Sequence, residues 1–298
     1  MAVFLPVLQV ISIVLIGFVV GRVFEIHRKT LSSLVLYVFL PTFVFKGLYL
    51  SSLRLDDVLS LIGSNIAMYL LLIATAVLAG RVLGFPDKYK SALNMGSTFI
   101  NAGNMGIPTV IFAFGVQVSG FAVVNAVMGT IVFNTVGIYI ASGGKNNLKD
   151  TVKSVLRLPT IYAVLFAFIC NLFHFQLPTF IMNPLTTIAG AFVPIILILL
   201  GTQLACFSGI KSIPLIITGT TIRLLISPIF AIIISFVFKL SPEIAQVFIL
   251  QMAMPTAVNT LIMTMEFNGD ADIIAGIVFF TTILSVLTVP FWLSFLLN

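Results

Sequence analysis

Long apolar runs separated by short polar clusters recur from one end of the chain to the other. A run of about 18 or more apolar residues crosses the bilayer core as a helix. The pattern predicts ten helical spans at roughly 3–21, 31–50, 58–80, 91–114, 119–142, 159–174, 185–206, 213–238, 243–266 and 272–296. The connections are short and leave no room for a soluble domain. The longest, at about 143–158, opens Gly143-Gly144-Lys145-Asn146-Asn147 and is the natural seam between two halves, 1–145 and 146–298.

Two spans carry polar interruptions. The fourth contains Asn94-Met-Gly-Ser-Thr-Phe-Ile-Asn101-Ala-Gly103-Asn104-Met-Gly106-Ile-Pro108, and the ninth contains Gln251-Met-Ala-Met-Pro255-Thr256-Ala-Val-Asn259. Gly and Pro weaken helices, and Pro removes a backbone donor. In hydrocarbon the freed groups find no water, so a broken helix persists only where protein or a cavity satisfies it. Interrupted spans at matching positions of two halves point to a transporter site at mid-membrane. Five spans per half is an odd number, so the second half is expected upside down relative to the first. Weak internal similarity agrees: Leu31-Ser-Ser-Leu leads to Pro41 and Leu185-Thr-Thr-Ile to Pro194, while Phe85-Pro86 and Ser241-Pro242 open the two interrupted spans. The expected fold is therefore an all-α membrane protein, ten transmembrane helices in two inverted five-helix repeats, with helices 4 and 9 broken near mid-membrane.

Composition fixes the class. The chain is 60% hydrophobic and 8% charged, against about 25% charged for a soluble domain, so it is an integral membrane protein. Its net charge of +6 is then no sign of a nucleic-acid partner; its distribution about the membrane is what matters. Eleven of the fifteen Lys and Arg lie on odd connections (Arg22, Arg28, Lys29, Arg81, Lys88, Lys90, Lys145, Lys149, Lys153, Arg157, Lys211), against Lys46, Arg54 and Lys239 on the even side. The positive-inside rule puts odd connections in the cytoplasm and both termini outside a multi-pass cell-membrane protein. No Lys or Arg precedes Arg22, so the first segment reads as a retained span and not a signal peptide. Cys170 and Cys206 both lie in apolar segments and offer neither a disulfide framework nor a metal set.

With Asn101-Ala-Gly-Asn104-Met-Gly-Ile-Pro108, Pro255 and the two five-span halves on the page, the chain resembles, over nearly its full length, bacterial members of the auxin efflux carrier family, relatives of the plant PIN proteins. The resemblance implies that spans four and nine cross as an X at their prolines. It implies a scaffold of spans 1, 2, 6 and 7 that serves as a homodimer surface, and a moving transport domain of spans 3–5 and 8–10. Family substrates are organic anions, including auxin and dicarboxylates such as malate. The long cytoplasmic loop of some plant carriers is missing here, so regulation through it is not expected.

The candidate site residues follow from these breaks. Asn101 and Asn104 are three apart, on one helix face, and their amides can hold a carboxylate or cap the half-helices. Asn259 is their counterpart in span nine, with Gln251 and Thr256 as weaker candidates. Pro108 and Pro255 act through shape, and Gly103 and Gly106 allow close approach of the other span or ordinary helix packing. Arg223 is the one ionisable residue placed well inside the membrane, so it needs a partner: an organic anion, or backbone carbonyls if its role is structural. Asn125 and Asn134 in span five face different sides, and Asn134 is the better candidate for lining a cavity. Gly17 and Gly21 form a GxxxG pair, for helix packing or a dimer contact.

The leading function is a secondary transporter moving small carboxylates by alternating access, with the lipid bilayer as surroundings, no cofactor and no metal. A channel or ligand-sensing protein with the same site is the alternative. An intramembrane enzyme is disfavoured: His27 and His174 lie near opposite faces, and neither HExxH nor GxSxG is present.

Overall fold

The computed structural model describes residues 4–51, 54–143, 156–205, 212–267 and 269–297. The seam between the halves, with Lys145, Lys149 and Lys153, lies outside the described residues, as do Cys206 and Lys211. Among the described residues the chain is all-helical. In order, the helices are α1 (Leu5–Val23), α2 (Arg28–Tyr49), α3 (Leu55–Val82), α4 (Asp87–Thr98), α5 (Ala102–Phe114), α6 (Val116–Ala141), α7 (Pro159–Leu172), α8 (Thr179–Leu204), α9 (Ile213–Val237), α10 (Pro242–Met252), α11 (Asn259–Glu266) and α12 (Ala271–Leu297). Seven of them, α1, α2, α3, α6, α8, α9 and α12, are long and apolar enough to cross a membrane, and α5 and α7 are shorter apolar helices. The chain is a multi-pass membrane protein.

The interior is mostly apolar, and so is much of the outer surface. Large apolar side chains such as Leu70, Phe180 and Phe236 point outward, while Arg223, Asn65, Asn125 and Gln251 lie inside. Water normally favours the reverse; a hydrocarbon surround removes the penalty on outward apolar groups and raises it on outward polar ones.

Most helix ends fall within four residues of the expected spans. The clearest departure is α8, which begins at Thr179 instead of 185 and runs through Pro184 and Pro194. Pro184 and Pro194 are the sixth and sixteenth residues of the helix, so each leaves out one intrahelical donor. Three other prolines have a visible effect. Wide π turns at Val35–Phe39, Ala102–Gly106 and Ile222–Ile226 each end two residues before a proline: Pro41, Pro108 and Pro228. A helical proline has no N–H and its ring presses on the carbonyl four residues earlier, and the looser turn relieves both. At Pro228 that carbonyl belongs to Leu224, and the Trp292 indole donates to it at 3.0 Å.

Helix α1 packs on α8 through glycine. A Cβ on Gly17 would overlap the Ile198 carbonyl oxygen, one on Gly201 would overlap that of Val14, and one on Gly21 would lie 2.9 Å from Thr202 Cα. The GxxxG pair is therefore a contact within the chain. Nearby, Arg28 Nε donates to the Thr202 carbonyl at 2.9 Å. Helix α2 stacks Phe43 on Phe192 of α8 (4.6 Å) and Phe45 on Phe166 of α7 (5.5 Å). Gly17→Val should push α1 from α8 and cost about 1–3 kcal/mol or more, the usual range for overpacking. A melting curve in detergent reads this; a melt unchanged from the parent would contradict the close contact.

Candidate functional site

Both expected breaks are present, and they meet. Helix α4 ends at Thr98, Phe99 is extended (φ −90°, ψ 120°), and Asn101 (φ −77°, ψ 51°) precedes α5. Helix α10 ends at Met252, and α11 starts only at Asn259. Between them the two chains form a one-pair antiparallel bridge, Ile100 opposite Thr256. The Asn101 N–H donates to the Pro255 carbonyl at 2.8 Å, and the Ala257 N–H donates to the Phe99 carbonyl at 3.0 Å. The Thr256 hydroxyl donates to the Gly96 carbonyl (2.5 Å), and its N–H donates to the Thr281 hydroxyl at 3.2 Å. Each break thus supplies the partners the other lacks, which is what hydrocarbon surroundings require. Four helix ends converge there: the C-termini of α4 and α10 and the N-termini of α5 and α11.

Arg223 closes the C-terminal side. It lies in the π turn of α9 and is fully buried. Its Nη1 donates to the carbonyls of Ser97 (3.2 Å) and Thr98 (3.0 Å), and its Nη2 to that of Met252 (2.8 Å). Nη2 also bonds Ser227 Oγ, which itself donates to the Met252 carbonyl at 2.6 Å. The last carbonyls of a helix are orphaned and carry partial negative charge, so one guanidinium answers both helix ends. The sequence left a carbonyl anchor and an anion partner open; three bonds go to carbonyls and one to the Ser227 hydroxyl, while Nε is buried without an acceptor.

A second buried network was missed in the sequence. Asn65 of α3 donates to the Leu61 carbonyl and to Asn125 Oδ1, both at 2.8 Å; Asn125 Nδ2 donates to Gln251 Oε1 at 2.9 Å. Gln251 Nε2 then reaches the carbonyls of Ala122 (3.1 Å) and Ala102 (3.3 Å). This amide chain ties α3, α6 and α10 to the first residue of α5. The sequence favoured Asn134 over Asn125 for lining a cavity, and the structure places the two differently. Asn125 is 1% exposed and central to the network, whereas Asn134 is half-buried and turns its amide back to the Thr130 carbonyl of its own helix (2.8 Å). Asn65 had a signal, a lone amide amid an apolar 28-residue helix.

The remaining candidates cluster at the crossover with differences from expectation. Asn101 does not share a helix face with Asn104, because its backbone is non-helical; it occupies the cap position of α5 without a side-chain capping bond. It is 3% exposed and its Nδ2 has no acceptor. Asn104 lies half-buried in the first turn of α5, and Asn259 half-buried at the start of α11. Pro108 and Pro255 are buried. Gly106 packs against α10, where an added Cβ would lie 3.2 Å from Gln251 Nε2; Gly103 faces open space and makes no such approach. A cavity of about 540 Å³ lies elsewhere, at the α1–α2 connection between Gly21 and Arg28.

The whole chain compares with transport proteins. A family model described as "Membrane transport protein" matches residues 2–153 and 144–293. An uncharacterized transporter of Methanothermobacter thermautotrophicus is 29% identical over 299 residues, covering 96% of this chain and 96% of that protein. An uncharacterized transporter of Methanocaldococcus jannaschii is 25% identical over 303 residues, covering 98% of each. These are membrane transporters and not enzymes. The chain belongs to the membrane transport protein family that includes the auxin efflux carriers.

Proposed function

We propose that this transporter is a secondary carrier for small organic anions, working by alternating access with a carboxylate held at the crossover. The observation that carries the reading is a pair of buried donors without acceptors, Asn101 Nδ2 and Arg223 Nε, where two broken helices meet. The N-termini of α5 and α11 open at the same place, and their dipoles favour negative charge. Asn104 and Asn259, half-buried in those first turns, complete the lining, with Asn134 further along α6. The wider reading has ten spans in two inverted repeats, α4–α5 and α10–α11 each counting as one. The scaffold is α1, α2, α7 and α8, which pack on one another, with a homodimer through this face; α3–α6 and α9–α12 move as the transport domain. Both termini lie outside the cell membrane.

A thermal-shift screen of mono- and dicarboxylates identifies the ligand, and counterflow in proteoliposomes separates a carrier from a channel or a sensor. Asn101→Leu should weaken the active carboxylate about ten- to a hundredfold, the worth of one hydrogen bond to a charged group, with the melting temperature kept. Unchanged affinity and counterflow would remove Asn101 from the site.

A further inference from the structure

Arg223 occupies a position with unusual chemistry. The carbonyl oxygens of Ser97, Thr98 and Met252 and the hydroxyl of Ser227 converge on one guanidinium, at the C-terminal ends of two half-helices. All four oxygens are neutral, and no carboxylate accompanies them: the ion pairs among the described residues, Arg54 with Asp56 and Lys90 with Asp87, lie elsewhere. Neutral carbonyl and hydroxyl oxygens at helix C-termini are the donor set that transporters and channels offer to a monovalent cation, whereas divalent ions draw on carboxylates.

We infer that Arg223 is a tethered cation: its guanidinium fills an oxygen cage that would otherwise hold a small alkali-metal ion, so the cycle needs no inorganic cation at this place. The charge is carried on α9, always protonated, and cannot leave. It therefore holds the ends of α4 and α10 together in every state of the cycle, and α4, α9 and α10 move as one body. A released coupling ion would let those ends part; a tethered one does not. The inference deepens the carrier reading, and its melting arms use no carboxylate, so the two can fail separately.

The test removes the guanidinium and asks whether an ion takes its place. Arg223→Ala, Arg223→Met, Arg223→Lys and the parent are melted in choline, lithium, sodium and potassium chloride at equal ionic strength. The parent and Arg223→Lys should each melt at one temperature in all four salts. Arg223→Ala should melt well below the parent in choline and recover, saturably, in one alkali-metal salt. Arg223→Met, whose side chain fills the cage without donors, should stay low in all four. Arg223→Ala that melts equally low in every salt, or yields folded protein in none while Arg223→Lys folds, overturns the proposal.

Discussion

Replacing Arg223 with Met will cost the protein much of its stability. Met keeps the length and removes every donor, so the carbonyls of Ser97, Thr98 and Met252 lose their bonds inside the membrane. A buried polar group left unsatisfied costs about 1–3 kcal/mol, and three at one point put the loss at roughly 3 kcal/mol or more. Ser227 still serves Met252, which limits the loss at that carbonyl. For a chain of 298 residues that is a drop of about 5 °C or more. Melting in detergent and the fraction of monodisperse protein read it directly. An Arg223→Met protein that melts with the parent would contradict the clamp, leaving the arginine only the ligand role of its free Nε.

Gln251→Leu should have the second-largest effect. It strips the acceptor from Asn125 Nδ2 and a side-chain donor from the carbonyls of Ala102 and Ala122, of which Ala102 keeps the Ile107 N–H. The loss should be about 2–4 kcal/mol. Because the damage comes from orphaned partners, the pair Asn125→Val/Gln251→Leu should lose less than the sum of its singles, by about 0.5–3 kcal/mol. Strict additivity would mean that the amide chain does not act as a unit. The same residue backs Gly106, so Gln251→Leu also disturbs the first turn of α5, and a larger loss of transport than of stability is expected.

Much of this architecture was legible because the membrane makes hydropathy a strong constraint. Apolar runs give the helices, and the Gly, Asn and Pro of 101–108 and Pro255 give the breaks. What the sequence could not show is which backbone groups answer those breaks. The carbonyls of Ser97, Thr98 and Met252 have no side-chain signature, so Arg223 read only as a charge in need of a partner, anion or carbonyl. Asn65 and Asn125 sit 60 residues apart, and their bond follows from helix packing that periodicity does not encode. Gly103 and Gly106 look alike in sequence; only the second meets the opposite helix. The wide turns before Pro41, Pro108 and Pro228 are also a response of the folded backbone, and the prolines alone announce only a defect.

The account depends on the two breaks pairing with each other, and a designed disulfide tests that directly. Ile100 and Thr256 face each other in a non-hydrogen-bonded antiparallel pair, whose Cα atoms lie about 4.5 Å apart, within disulfide reach. With Cys170 and Cys206 replaced, Ile100→Cys/Thr256→Cys should cross-link under mild oxidation, seen as loss of alkylatable thiol by intact-mass measurement. Two thiols that stay free and alkylatable after oxidation, in a protein that is otherwise folded, would show that the broken helices do not meet.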